Sequence, residues 1–320
     1  MATISENIKC AKVIKESIQH LESKGWSFVK AREYQETYIF KSPDGKNYLH
    51  FGSPEKIQKV IDIQSKLYKL GYPVAPILKT GNLGRFSYLL ESSLGEKTYG
   101  DVFTKNIEDQ KFKLFCSAIA SYFEAQLKNQ LPVPIDFDIR KEVMSENVIQ
   151  ENDDLDVSKI NSVLDKLDQS LRTLPFAYSH GDFAARNILD NGVIDFEFCS
   201  IAPIGLDVFN ACTVENFWMY KNSSDEFCAK FHFDLLQNEY LVDVLNTVSS
   251  RYGLTRLLEF QNDFILFKAI WSTAHEKQQS IKSGDDTKWR FRRAILMYCI
   301  EKYLKDEKIN PFKFKDLKKI

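Results

Sequence analysis

The chain has no excess charge of either sign. Its 43 Lys and Arg stand against 44 Asp and Glu, a formal net charge of −1 over 320 residues. No overall field therefore draws it to nucleic acid or to an anionic membrane. It has no run of 18 apolar residues of the kind that spans a bilayer, and its opening residues lack the apolar core of a signal peptide. Its six cysteines (Cys10, Cys116, Cys199, Cys212, Cys228 and Cys299) are scattered. None stands at C-x-x-C spacing, which excludes a zinc ribbon or a thioredoxin-like site. The phosphate-binding pattern G-x-x-x-x-G-K-[ST] is missing, and so is any internal repeat. These absences predict a soluble, cytoplasmic chain with reduced thiols, no nucleic-acid partner and no membrane partner.

Aromatic residues are plentiful. The chain has 24 Phe and 14 Tyr, a mixture that suits packed lobes and flat-ligand pockets and argues against disorder or coiled coil. At about 150 residues per domain, its length predicts two domains or lobes. An apolar stripe of Ile8, Ile14, Ile18 and Leu21 predicts a short helix ended by Gly25. Strands are expected over 34–40 and 46–51, around the hairpin turn Ser42-Pro43-Asp44-Gly45. Ile57, Val60, Ile61, Leu67 and Leu70 predict a helix that starts after Pro54 and is stopped by Gly71 and Pro73. A second strand pair, 77–80 and 86–90, follows around Gly81-Asn82-Leu83-Gly84. The polar run Glu91 to Glu96 reads as a linker, which divides the chain into 1–92 and 93–320.

Beyond the linker the pattern is helical. Phe112, Phe115, Cys116, Ile119, Phe123 and Leu127 mark one amphipathic helix, and Ile160, Val163, Leu164, Leu167 and Leu171 mark another behind an acidic start. The region after Asn210 is again helical and aromatic. The basic tail Lys313 to Lys319 reads as a solvated end.

One stretch carries chemistry. Ser179-His180-Gly181-Asp182 leads to Arg186-Asn187-Ile188-Leu189. An Asn191-Gly192 turn then gives way to Val193-Ile194-Asp195-Phe196-Glu197. Read as a tight hairpin with a strand over 193–196, this segment places Asn187 and Asp195 on either side of one spot, with Asp182 on the approaching loop. One amide and two carboxylates suit magnesium with phosphate oxygens, because magnesium takes hard oxygen ligands and few protein groups. A carboxylate beside it can accept the proton of an attacking hydroxyl. A polar loop of Asx-turns and surface carboxylates is the other reading of these residues.

The compound pattern His180-Gly181-Asp182, Asn187 five positions on, then Ile194-Asp195-Phe196-Glu197, resembles the signature of the aminoglycoside phosphotransferase and choline kinase superfamily. That resemblance implies an α+β, bilobal protein-kinase-like fold: a small antiparallel-sheet nucleotide-binding lobe, then a larger, mostly helical lobe for catalysis and the acceptor. It also implies ATP and Mg2+ as cofactors and transfer of the γ-phosphoryl group to a hydroxyl. Matched position by position, Asp182 would orient the acceptor hydroxyl and take its proton. Asn187 and Asp195 would hold magnesium. Asp207 would tie the loop to a helix start. Read from the residues themselves, His180 braces the loop by hydrogen bonds, and Arg186 either offsets the carboxylate field, binds the carboxylates of the loop or lies at the surface.

The amino-terminal half departs from the family. Where a lysine is expected on the strand, this sequence has Tyr48-Leu49-His50-Phe51. His50 either binds phosphate itself, yields that task to Lys30, Arg32, Lys41 or Lys46, or marks a degraded site. The helix glutamate of the family has no clear counterpart, Asp62 and Gln64 being the candidates. Tyr34 and Thr37 fall in the loop expected over the phosphates. Glu91 and Ser93 fall in the segment expected to meet adenine.

For the acceptor, Glu197, Glu215, Trp218 and Trp271 are the candidates, with His275, Glu276 and Trp289 nearby in the sequence. Aromatic faces with a carboxylate would hold a cationic amine, and Asp207, Glu215 and Trp218-Met219-Tyr220 resemble the choline kinase arrangement. Core packing is the alternative for each ring. The resulting expectation is a monomeric or homodimeric small-molecule kinase acting on an aminoglycoside, an amino alcohol or a sugar-like hydroxyl. Its rivals are an inactive kinase-fold binding protein and an atypical protein kinase. The last is weakened because no long activation segment follows Asp195.

Overall fold

Ser42, Asp44 and Gly45 make the first hairpin. The Ser42 hydroxyl donates to the Asp44 carboxylate at 2.6 Å, that carboxylate accepts the Lys46 amide at 3.1 Å, and Gly45 takes φ +72°. In this computed structural model, residues 18–32, 37–83, 86–104, 106–220, 228–274 and 276–319 are described. They form two units: 1–96 with 191–197, and 97–190 with 198–320.

The first unit is a five-stranded antiparallel sheet carrying one helix. Its strands are β1 (Ser27–Arg32), β2 (Thr37–Lys41), β3 (Asn47–Gly52), β4 (Ile77–Leu83) and β5 (Phe86–Ser92), in the spatial order β1-β2-β3-β5-β4. Helix α1 (Pro54–Lys69) begins on Pro54, whose missing N–H costs nothing in a first turn. It packs on β5. Phe40, Phe51, Ile57, Leu67, Phe86 and Leu89 are all buried in this unit. Each such side chain contributes about 1.5–3 kcal/mol through burial.

Residues 191–197 belong to this unit for a visible reason. The Asn191 amide donates to Leu94 O at 3.1 Å and the Val193 amide to Pro73 O at 2.8 Å. Gly192 makes this approach possible, since a Cβ there would stand 2.2 Å from Pro73 O.

The second unit is mostly helical. Helix α2 (Asp109–Lys128) buries Phe115, Ile119, Tyr122 and Phe123, and α3 (Val157–Leu171) starts on an Asp156 cap that accepts the Ser158 and Lys159 amides. Strands β6 (Phe176–Ser179) and β7 (Ser200–Pro203) pair antiparallel. After them come α4 (Leu206–Thr213), α5 (Leu235–Arg251), α6 (Gln261–Thr273), α7 (Glu276–Ser283) and α8 (Thr287–Leu304). Helix α6 is buried almost all round and packs against α4 and α8. Among the described residues no helix is long and apolar enough to cross a membrane. Cys116, Cys212 and Cys299 are buried free thiols, and burial pushes the Cys116 thiol up to about 12.

Three expectations need correction. Strand β1 was not anticipated, because Phe28 and Val29 are both about half exposed on this edge strand and break its alternation. The strand expected over 193–196 ends at Val193: Asp195 takes φ +76° and a 3-10 turn runs Phe196–Phe198. The tail is docked rather than solvated. Pro311–Lys319 forms a 3-10 helix whose Phe314 is fully buried, 5.2 Å from the Phe217 ring and 5.9 Å from the Tyr298 ring. Of the first predicted helix, 18–23 is helical before Gly25 at φ +80°, while Ile8 and Ile14 lie outside the described residues.

Candidate functional site

The 179–187 loop is held from below by one buried carboxylate. Asp207, at the start of α4, is 1% exposed and accepts five hydrogen bonds. Its Oδ1 takes the Ser179 hydroxyl at 2.8 Å and the Gly181 amide at 3.2 Å. Its Oδ2 takes the His180 amide at 2.8 Å, the Tyr122 hydroxyl at 3.0 Å and Gln126 Nε2 at 2.9 Å. A buried carboxylate is tolerated only with such partners. The arrangement fixes the chain where it leaves β6. Gly181 then turns at φ +78°, and a Cβ there would lie 2.6 Å from Phe198 O.

His180 is fully buried, and its Nδ1 accepts the Asp182 amide at 3.2 Å. The Asp182 carboxylate, one-fifth exposed, accepts Arg186 Nη2 at 2.7 and 2.9 Å on its two oxygens. Asn187 Nδ2 donates to Asp182 O at 2.8 Å and reaches Asp182 Oδ2 at 3.4 Å. Asn210 Nδ2, from α4, holds Phe183 O at 2.7 Å. The loop therefore presents Asp182, Arg186 and Asn187 as one hydrogen-bonded group on a rigid base.

In the first unit, Asp195 sits at positive φ, which is uncommon for a residue other than glycine and costs on the order of 1 kcal/mol. Lys30 Nζ of β1 lies 3.9 Å from its Oδ2, so Lys30, one of the alternative cations, is beside this carboxylate. His50 is engaged differently from a phosphate ligand. Its Nε2 is 2.8 Å from Glu91 Oε1, while Gln64 of α1 donates to Glu91 Oε2 at 2.6 Å and to Ala75 O at 2.8 Å. Where the resemblance implies a lysine and a helix glutamate, this chain has a histidine and a helix glutamine joined through a strand glutamate. Glu91 is 8% exposed, and its side chain serves this network. Ser93 donates its amide to Lys46 O at 2.7 Å. Thr37 is buried at the start of β2, and Tyr34 lies outside the described residues.

Taken separately, each expected ligand has the chemistry magnesium takes: in the second unit, with Asn187 Nδ2 committed to Asp182, Asn187 Oδ1 is left as a hard acceptor, and in the first unit Asp195 carries a carboxylate. Among the described residues no cluster of three or more His, Cys, Asp or Glu side chains forms a metal cage. Magnesium needs none where phosphates complete its shell.

The acceptor candidates separate. Glu197 is in the first unit, whereas Glu215, Trp218 and Trp271 are in the second. Glu197 does not follow Asp195 along a strand, since the 3-10 turn intervenes. Protein cations cover the aromatic faces: Lys268 Nζ lies 4.1 Å from the Trp271 ring centre, and Arg292 lies 4.6 Å and Lys288 Nζ 5.3 Å from that of Trp218. An aromatic cage for a ligand ammonium is therefore not present at these rings. Burial pushes the half-buried Glu215 carboxyl up to about 7, against the pull of Arg186 and Lys230. Glu276 pairs with Lys288 and with Arg292, each at 3.0 Å. Trp289 donates to Asn152 at 3.0 Å, and His275 lies outside the described residues. Sequence reasoning missed Lys268 and Arg292. The signal for Lys268 was a single lysine inside the apolar run Phe264 to Trp271.

Comparison with known proteins places these elements. The phosphotransferase enzyme family (APH) matches residues 21–239. No curated protein sequence matches the chain. Among solved structures, the chain is similar to a choline/ethanolamine kinase family protein from Mesorhizobium loti, with 13% identity, 92% of each chain covered and a TM-score of 0.50. It is similar to the wild-type aminoglycoside 2'-phosphotransferase-IIIa in its GDP complex, with 12% identity, 87% of this chain and 93% of that one covered and a TM-score of 0.51. It is also similar to the same type of enzyme in complex with GDP and kanamycin, with 13% identity, 85% and 91% covered and a TM-score of 0.53. At these identities the likeness shows the fold, a bilobal protein-kinase-like α+β architecture.

Proposed function

The chain belongs to the phosphotransferase enzyme family, and from that premise we propose that it transfers the γ-phosphoryl group of ATP, with magnesium, to a hydroxyl of a small molecule. The observation that carries this reading is the hydrogen-bonded group Asp182, Arg186 and Asn187, held on the Asp207 base. A surface loop of Asx-turns has no need of a buried carboxylate with five donors.

In this reading Asp182 orients the acceptor hydroxyl and receives its proton as the oxygen attacks the γ-phosphorus. A bond forms between that oxygen and phosphorus. The bond from the γ-phosphorus to the bridging β–γ oxygen breaks, and its electron pair leaves with ADP. Arg186 Nη2 donates to both oxygens of the carboxylate and so holds Asp182 in place. Asn187 through Oδ1 and Asp195 would hold magnesium, which when bound neutralises charge on the phosphate oxygens. His180 keeps the Asp182 amide in register. Lys30, beside Asp195, is the cation available to the phosphates, while His50, on the strand position of the family lysine, is engaged by Glu91. Two of the similar solved structures are GDP complexes, one of them also with kanamycin, which supports a nucleotide donor and a small acceptor.

The test is ADP release from magnesium ATP across a panel of small hydroxyl compounds, repeated with Asp182→Asn. Acceptor-dependent release lost in that variant supports the reading. Release that is equal in both proteins removes Asp182 from the reaction. A protein that binds magnesium ATP but phosphorylates no compound favours the binding-protein alternative that His50 raises.

A further inference from the structure

Helix α6 buries a lysine without giving it a counter-charge. Lys268 stands between Phe264-Ile265-Leu266-Phe267 and Ala269-Ile270-Trp271 and is 8% exposed. Among the described residues no carboxylate pairs with its ammonium and no oxygen accepts from it. The ammonium lies 4.1 Å from the centre of the Trp271 ring. Burying an unpaired ammonium is costly. Burial here pulls the amine down to about 7, although Asp182 and Asp207 favour its charged form, and Arg292 and Arg186 add to the downward push.

The surroundings are short of negative charge. Arg292, 7% exposed, donates Nη1 to Ser272 O at 2.9 Å and to Glu276 at 3.0 Å, while its buried Nε has no partner among the described residues. Lys288 draws on the same Glu276 carboxylate at 3.0 Å. Among the described residues the Glu276 carboxylate thus pairs with both Arg292 and Lys288, and no carboxylate pairs with Lys268. Glu215 does not make up the difference, because burial holds it toward its neutral form. Asp182 is already taken by Arg186. Helix α6, which carries Lys268, packs on α4, whose Asp207 holds the loop that presents Asp182, and Lys268, Arg292 and Glu215 all feel the Asp182 charge.

We infer that the acceptor is an anionic hydroxyl compound, whose carboxylate or phosphate group is received by Lys268 and Arg292 while its hydroxyl faces Asp182. The inference rests on the phosphotransferase reading and names its substrate class. An anion supplies the charge that burial denies Lys268, and the planar guanidinium of Arg292 suits either oxyanion. A polyamine or a quaternary ammonium meets like charge at Lys268, Arg292 and Lys288, which disfavours a cationic acceptor.

Titration calorimetry without nucleotide tests this. The probes are galactose, galacturonate, galactose 6-phosphate, galactosamine and inorganic phosphate. At least one organic anion is expected to bind roughly ten-fold or more tighter than galactose, with galactosamine weakest. The better of galacturonate and galactose 6-phosphate identifies the acid group. At pH 8 its binding takes up a proton, seen as a binding enthalpy that changes with the ionisation heat of the buffer. Lys268→Met is expected to weaken the anion roughly ten-fold or more and to abolish the proton uptake. The wild-type proton uptake keeps the test decisive if that variant fails to fold.

The inference is overturned if galactosamine binds tightest, if Lys268→Met leaves anion affinity unchanged, or if neither organic anion nor inorganic phosphate binds saturably. Anion binding without ATP turnover on any hydroxyl would sink the kinase reading alone. Turnover confined to cationic acceptors would sink the acceptor class alone.

Discussion

The Asp207 carboxylate accepts the backbone amide of His180 at 2.8 Å across 27 residues of sequence. With the Ser179, Gly181, Tyr122 and Gln126 donors on the same side chain, this relationship sets where Asp182 stands. Asp207→Ala leaves five buried donors without their acceptor. It is expected to cost about 3 kcal/mol or more in urea unfolding, and to lower turnover further in whatever protein remains folded. A variant with unchanged stability would show that the loop is held by other means.

Gly181 cannot carry a side chain where it is. Its φ of +78° and the 2.6 Å approach to Phe198 O predict that Gly181→Ala loses about 2 kcal/mol. Gly71, at φ +78° with nothing within 4 Å of a built Cβ, is the control: Gly71→Ala carries the backbone cost of about 1 kcal/mol alone. Equal losses at the two sites in thermal unfolding would contradict the close-approach argument.

His50 and Glu91 predict how the first unit meets phosphate. His50→Lys places a longer, permanently charged group next to Glu91. It is expected to tighten magnesium ATP roughly ten-fold in equilibrium binding. Glu91→Gln, which removes the charge between His50 and Gln64, is expected to destabilise the sheet by about 1–3 kcal/mol. No change in ATP affinity on introducing the lysine would show that this strand position does not serve phosphate, leaving Lys30 to do so.

Two second-unit groups give stability opposite pH slopes. The Glu215 carboxyl is raised from 4.5 to about 7, so the folded protein holds more protons than the unfolded one in that window, and stability falls as pH rises through it. The Lys268 amine is lowered from 10.5 to about 7, so the unfolded chain holds more protons between those values, and stability rises with pH there. Urea midpoints across pH are therefore expected to lose the first slope in Glu215→Gln and the second in Lys268→Met. Parallel curves for wild type and both variants would refute these assignments.

Local rules account for what was legible. Pro54 opening α1, the Ser42 to Gly45 turn and the Asp156 cap of α3 each act within a few residues, and their elements stand where the sequence places them. The His180, Asp182, Asn187 and Asp195 pattern was readable for the same reason. The rest depends on pairs far apart in the chain. Glu91 joins His50 and Gln64 over 41 and 27 residues, and Tyr122 reaches Asp207 over 85. Such partners leave no spacing to find. Strand β1 escaped because its side chains are mostly exposed, and the turn at Asp195 escaped because Val193 to Phe196 alone reads as strand. The cations over the tryptophans escaped for two reasons: Arg292 and Lys288 reach Trp218 from a helix about 70 residues further along the chain, whereas Lys268, only three residues from Trp271, sits in an apolar run that reads as core.

The most direct test of the account is the transfer of label from γ-32P-ATP into small phosphoesters by wild type and by Asp182→Asn, with magnesium ATP affinity measured in parallel. The account predicts transfer that falls about 100-fold or more in the variant while nucleotide affinity stays within about two-fold. Undiminished transfer by Asp182→Asn, or no transfer by wild type to any hydroxyl compound, would contradict it.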